Sequence, residues 1–426
     1  NSNIDANMYV TQYQGGRYWI GETEAPALVP QSVLGNPNLV WERTKSSNLG
    51  LDLSLFKSRF NLTFDVYNNL SDNLLIKNGI AKSSGYNDQF QNIASIRNRG
   101  VEFVINTVNV RAGGFEWRTD LNMSFNKSKV QKLYGDVGKY MITSVDSRME
   151  FIVREGESLG QFYGFKYGGI YTTEDFNQNL DGTYSLKAGV PRKSGLNAAQ
   201  VAAIKPGDIK FIPVTGQTDN NGNPVWSEQD RTVLGSAEPE FFGGLNNTFI
   251  YKGFDLSVFM NFSYGNEVFN MNTQRFIGPY YPNQNATGNM VNHYILVDPA
   301  TGKETKDLKR LAELNPNQFT SDAIWSLNGA NKETATVEKT DYNLEDGSFL
   351  RINNITLGYT LPAQLTKKVH INNLRIFCTA NNVHTFTRYK GYDPEVSASD
   401  QILTRGIDNS AYPRTRSFVA GLNLTF

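Results

Sequence analysis

The sequence is short of the residues that most chemistry needs. Among 426 residues there is one cysteine and there are three histidines, and the formal net charge is zero. The lone Cys378 excludes an intrachain disulfide framework and a thiolate metal cluster, and at a strand position it reads as a small apolar filler. With 41 basic against 41 acidic residues, the electrostatic footprint of a nucleic-acid binder is missing. No run approaches the roughly 20 consecutive apolar residues of a membrane helix, and the opening NSNIDANMYV is polar and loop-like, not a signal peptide. The histidines, at 293, 370 and 384, are far apart in the chain, and no GxSxG, HExxH or P-loop is present. Glu22 and Glu24 would suit a glycosidase only at a defined carboxylate separation. The expectation is a protein that is not an enzyme.

What the sequence does contain is aromatic and alternating. Aromatics reach 12%, with 21 Tyr and 26 Phe, while charged residues are held to 19%, against about 25% in ordinary globular chains. The stretch LGLDLSLF puts Leu49, Leu51, Leu53 and Leu55 on one face and Gly50, Asp52 and Ser54 on the other. The same period of two runs through FNLTFDV from Phe60, VEFVIN from Val101 and FEWRTDLNMSFN from Phe115. It recurs in FDLSVFMNFSYG from Phe254 and in the terminal SFVAGLNLTF from Ser417, whose apolar face ends on Phe426. Further strands are predicted near 240–250, 347–361 and 373–386, which brings the total to nine. Between Ile352 and Ile355 the alternation changes phase, which predicts a β-bulge.

The links between these strands alternate in length. KS at 57–58, RAGG at 111–114 and YKG at 251–253 are short, and LPAQLTKKVHINN is moderate. The links at 77–97, 131–239, 270–346 and 387–416 are long. Soluble domains rarely carry loops beyond about 15 residues without structure of their own. Strict short–long alternation describes a transmembrane antiparallel β-barrel with short periplasmic turns and long extracellular loops. A soluble multi-domain lectin could produce the alternation alone. The inward polar residues Asp52, Asp65, Glu102, Glu116, Arg118, Asp120 and Asp255 would then line a polar lumen.

Several blocks, in order, resemble the C-terminal half of SusC/RagA-type TonB-dependent transporters of the Bacteroidota. They include NPNLVWERTKSSNLGLDLSLFKSRFNLTFDVYNNLSDNLLI (36–76), NIASIRNRGVEFVIN (92–106) and EGESLGQFYGFKYGGIY (155–171). PGDIKFIPV (206–214), DRTVLGSAEPEFFGGLNNTFIYKGFDLSVF (230–259), LEDGSFLRINNITLGYTLP (344–362) and LRIFCTANNVHTFTRYKGYDPEVS (374–397) complete the set. The resemblance implies an all-β fold: the C-terminal portion of an outer-membrane barrel of about 22 strands, closed by an N-terminal plug. It makes 1–40 an extracellular loop and 131–239 and 270–346 large extracellular insertions, with the plug and the remaining barrel outside this chain. It also implies import of oligosaccharides or peptides, energy from TonB–ExbB–ExbD and a SusD-like surface lipoprotein as partner, with lipid around the barrel and no nucleic acid. Two other readings are open: a soluble glycan-binding β protein, and a barrel that anchors a secretion or motility assembly.

Two stretches are candidate binding sites. DNNGNPVWSEQD has the spacing of a 12-residue calcium loop, with Asp219, Asn221, Asn223, the Val225 carbonyl, Ser227 and Asp230 at the ligand positions. Pro224 stands where such loops carry Gly, and Asp230 is shorter than the usual Glu, so an Asn/Gly-rich turn is the competing reading. The long links also carry Tyr18, Trp19, Tyr280, Tyr281, Trp325, Tyr389 and Tyr392. These rings could stack on a sugar, or pack the loops onto one another or onto a partner.

Overall fold

A computed structural model describes residues 8–133, 140–145, 149–277, 285–327, 339–366, 370–395 and 402–426. Among the described residues nine long strands follow one another as a single antiparallel meander: β1 (Arg43–Leu55), β2 (Phe60–Gly79), β3 (Asp88–Ala112), β4 (Phe115–Leu133), β5 (Phe241–Tyr251), β6 (Phe254–Tyr264), β7 (Phe349–Thr360), β8 (Asn373–Thr387) and β9 (Ser417–Thr425). A two-residue strand, Val33–Leu34, pairs in parallel with the start of β3. No helix among the described residues is long and apolar enough to cross a membrane.

The turns at one end are tight for a stereochemical reason. Gly113 and Gly114, and Lys252 and Gly253, hold positive φ at both central positions. That is the primed hairpin geometry, whose twist matches that of the flanking strands. At the other end the chain departs from the sequence-based expectation in one respect. Strands β2, β3 and β4 run for 20, 25 and 19 residues, so the link expected at 77–97 shrinks to 80–87. The extra length is used: Ala94, Ile96, Val130 and Leu133 on these extensions form a buried core with Val153 and Leu159.

Between the tight turns and the cap the sheet is one layer thick. Register places the cross-strand row Leu51–Phe64–Phe103–Met123 on one face. The adjacent row, Gly50–Asp65–Glu102–Ser124, lies on the other. The apolar face is bounded by aromatic pairs at both ends: Phe254 against Tyr359 and Phe115 against Tyr251 near the tight turns, Phe125 against Phe241 and Phe241 against Tyr264 at the far end. Ten residues separate Phe254 from Tyr264. At about 3.3 Å per residue and a tilt of about 40°, that is a band roughly 25 Å tall. Polar groups within the band bond to one another. Asn247 accepts from Trp117 Nε1 at 3.0 Å and Thr119 Oγ1 at 2.8 Å, and Asn109 at a bulge in β3 donates to Thr119 Oγ1 at 2.7 Å.

The expected bulge in β7 is present. Met260 pairs with Ile352 and Phe259 with Asn354, leaving Asn353 unpaired between them. One extra residue reverses the facing of everything beyond it.

The large cores lie in the long links, which fold together as a cap. One core gathers Phe165, Phe211, Trp226, Tyr294, Leu311 and Trp325. A second packs Phe151 and Phe162 against Phe269 and Ile407. Backbone pairing of 267–270 with both 344–346 and 407–408 stitches the β6–β7 and β8–β9 links into one small sheet.

Candidate functional site

The polar face of the sheet collects all seven inward residues named from the sequence. Its groups are paired across strands. Arg375 holds Asp255 with two hydrogen bonds, Nε to Oδ1 at 2.9 Å and Nη2 to Oδ2 at 2.5 Å. Glu116 lies between Arg111, at 2.8 Å, and Arg118. Thr63 donates to Asp52 at 2.7 Å, Ser124 to Glu102 at 2.8 Å and Asn106 to Asp120 at 2.9 Å. Asp65 stands directly opposite Glu102, a like-charged pair whose repulsion water screens and an apolar core would not. This wall suits a wet lumen or a polar body inside it, not a packed core.

At the cap end of this face sits a group the sequence reading did not single out. The β7 bulge turns Arg351 onto the polar face, where it is 1% exposed. Its Nε donates to Thr385 Oγ1 at 3.0 Å, Nη1 to Glu395 at 2.9 Å and Nη2 to Asp393 at 2.5 Å. Arg414 reaches the same two carboxylates at 3.3 and 3.1 Å. The signal was in the sequence, as the phase break at 352–355 and the charged GYDPE at 391–395, but the two lie about 40 residues apart and nothing local joins them.

The candidate ring residues fall into three groups. Trp325 and Tyr389 are core residues of the cap: Trp325 packs edge-on against Tyr342 at 5.4 Å, and the Tyr389 hydroxyl donates to Asp408 at 2.7 Å. Burial, then that hydrogen bond, holds the Tyr389 phenol protonated well above its ordinary range. Tyr392 is 72% exposed, and Tyr18 and Trp19 are exposed on a hairpin formed by Tyr13–Ile20 and Thr23–Pro30. Tyr280 and Tyr281 lie outside the described residues.

The 219–230 loop is held by its own donors. Asp219 Oδ1 accepts from the backbone N–H groups of Asn221 and Asn223, both at 2.9 Å, and from the Asn223 amide at 3.1 Å. Asp230 is fully buried and turns away to 214–215: its Oδ1 takes Val214 N, Thr215 N and Thr215 Oγ1, each at 2.8 Å, and its Oδ2 takes Ser227 N at 2.8 Å. Val225 and Asn223 are buried, and Asn221 is exposed. A cation here would have to displace these donors.

A one-layer sheet with an apolar band on one face and a polar wall on the other, turned tightly at one end and capped at the other, is the geometry of an outer-membrane barrel wall. Comparison with known proteins agrees. Residues 6–198 match the family described as TonB dependent receptor-like, beta-barrel. TonB-dependent receptor P3 of Formosa agariphila is 32% identical over 400 residues, 92% of this chain and 35% of that protein. TonB-dependent receptor SusC of Bacteroides thetaiotaomicron is 27% identical over 425 residues, 98% of this chain and 35% of that one. The RagAB peptide transporter structure superposes with a TM-score of 0.73 at 22% identity, over 100% of this chain and 40% of that one. The chain thus spans about a third of the length of the curated relatives it matches. It belongs to the TonB-dependent receptors, as part of their outer-membrane β-barrel.

Proposed function

We propose that this chain is barrel wall and extracellular cap of an importer that carries oligosaccharides or peptides across the outer membrane. The observation that carries the reading is the two-faced single-layer sheet. Its apolar face fits lipid, and its polar face gives cargo and a plug a hydrated wall to move against. Energy would come from the TonB system through the part of the receptor beyond this chain. The cap and the exposed hairpin offer a surface for a SusD-like lipoprotein, and we assign the protein no catalytic step. The relatives named for TonB dependence and for SusC support import, and the RagAB likeness keeps a peptide cargo beside a glycan one.

Deletion of the full-length gene, followed by growth on single glycans or on peptides as the carbon source, tests the proposal. Loss of growth on one class, restored by complementation, supports it and selects the cargo. Unchanged uptake of every substrate class argues for an anchoring barrel instead. Recovery of the full-length protein in monodisperse form without detergent would revive the soluble glycan-binding reading.

A further inference from the structure

Among the described residues Arg351 is the largest side chain that is fully buried, and it is charged. Burying an ion is unfavourable unless every donor finds a good partner, and here both carboxylate partners belong to one loop. Asp393 and Glu395 lie on the outgoing leg of the segment between β8 and β9, and Arg414 lies on its returning leg. The four charges sum to zero, and Glu395 N also donates to Asp393 Oδ1 at 2.9 Å, so the outgoing leg is fixed at both carboxylates. Within the same leg Tyr389 is buried, and a Cβ on Gly391 would meet its ring at 2.4 Å, so only glycine lets the chain fold back there. The next residue, Tyr392, projects into solvent.

We propose that Arg351 is a positioning residue: through Asp393 and Glu395 it fixes where the loop carries Tyr392 at the rim of the polar wall. It acts through the loop and does not touch cargo. The use of Tyr392 in cargo capture rests on the import reading above; the loop geometry does not. A lysine has one ammonium where Arg351 has a planar fork serving three partners, so Lys cannot reproduce the joint.

The test uses the full-length receptor in a cysteine-free background, with spin labels at Tyr392→Cys and at Lys252→Cys on the opposite tight turn. The wild type is expected to give a narrow distance distribution. Arg351→Met should abolish it and expose the loop to trypsin at Arg388, Lys390 and Arg405, with Arg351→Lys only partly restoring the wild-type pattern. Amide protection of the cap strand Met149–Arg154 should stay unchanged. A distribution as narrow as wild type in Arg351→Met overturns the proposal, and so does equal loss of protection in the cap, which would mark a general structural role. If Arg351→Met does not assemble, Asp393→Asn probes the same joint from the loop side, and an unchanged width there is equally fatal. Separately, full uptake by Tyr392→Ala would overturn the capture role of Tyr392 and leave the loop result standing.

Discussion

Asp208 shows how a single buried carboxyl sets a pH dependence in the cap. Burial pushes it up from 3.8 to about 6, although the Lys205 backbone N–H, at 2.9 Å, and the Lys205 charge favour the anion. The folded cap therefore holds this proton to higher pH than the unfolded chain does. The contribution is most favourable below about pH 4, declines as pH rises through about 6, and is flat above that. Asp208→Asn keeps an acceptor for Lys205 and removes the charge. It should raise cap stability near neutral pH by up to roughly 3 kcal/mol and leave it unchanged near pH 4, as read from hydrogen exchange of the cap amides across that range. Asp230 makes the opposite case, since its carboxylate is fully occupied by protein donors. Asp230→Asn should lower cap stability by about 1–3 kcal/mol, with or without calcium, because one oxygen that accepts becomes an amide that cannot. If calcium raises the melting temperature of the wild type and Asp219→Asn abolishes the rise, the cation reading of 219–230 gains support.

At the scale of the strand, the two faces make different demands on the same chemistry. Met260 lies midway along β6 on the apolar face, and Ser257, on the polar face, bonds Asn246 at 2.9 Å. Met260→Arg should cost about 2–4 kcal/mol, the penalty for a cation near the middle of the bilayer. Ser257→Arg should cost far less and should act on permeation instead. Denaturant titration of the full-length receptor in vesicles separates the two. This facing was legible from Phe254 to Tyr264 because a period of two needs only local sequence. So was the bulge at Asn353, where the alternation breaks. The lengths of β2 and β3 were not legible. Beyond the band, both faces of the extensions meet protein, so Ile96 and Val130 are buried in an apolar core while adjacent Ser95 is buried too, and the alternation that marks a strand is lost. Nor was the burial of Trp325 and Tyr389. An aromatic in a long polar link looks the same whether it faces a ligand or fills the core of the link, and only long-range packing decides which.

At the scale of the whole molecule, the sheet is an open structure in a solvent that does not tolerate edges. Among the described residues the strand order ends at β1 on one side and β9 on the other, and the two do not pair. β1 thus leaves a row of backbone N–H and C=O groups along 13 residues without ladder partners, and β9 leaves another along nine. In hydrocarbon each unsatisfied group costs several kcal/mol, far more in total than the apolar band of this sheet can offset. The barrel must therefore close through strands beyond those described, which accords with a chain that matches about 35% of its relatives' length. Expressed alone with an export signal, the 426-residue chain should be degraded or aggregate. Co-expressed with the complementary part of its full-length receptor, it should yield a detergent-soluble, protease-resistant species in which the amides of β1 and β9 exchange as slowly as those of β5. The edge strands are the place to look. If the chain alone gives a monodisperse species whose β1 and β9 amides are already protected, the open sheet closes by itself and the requirement for further strands fails.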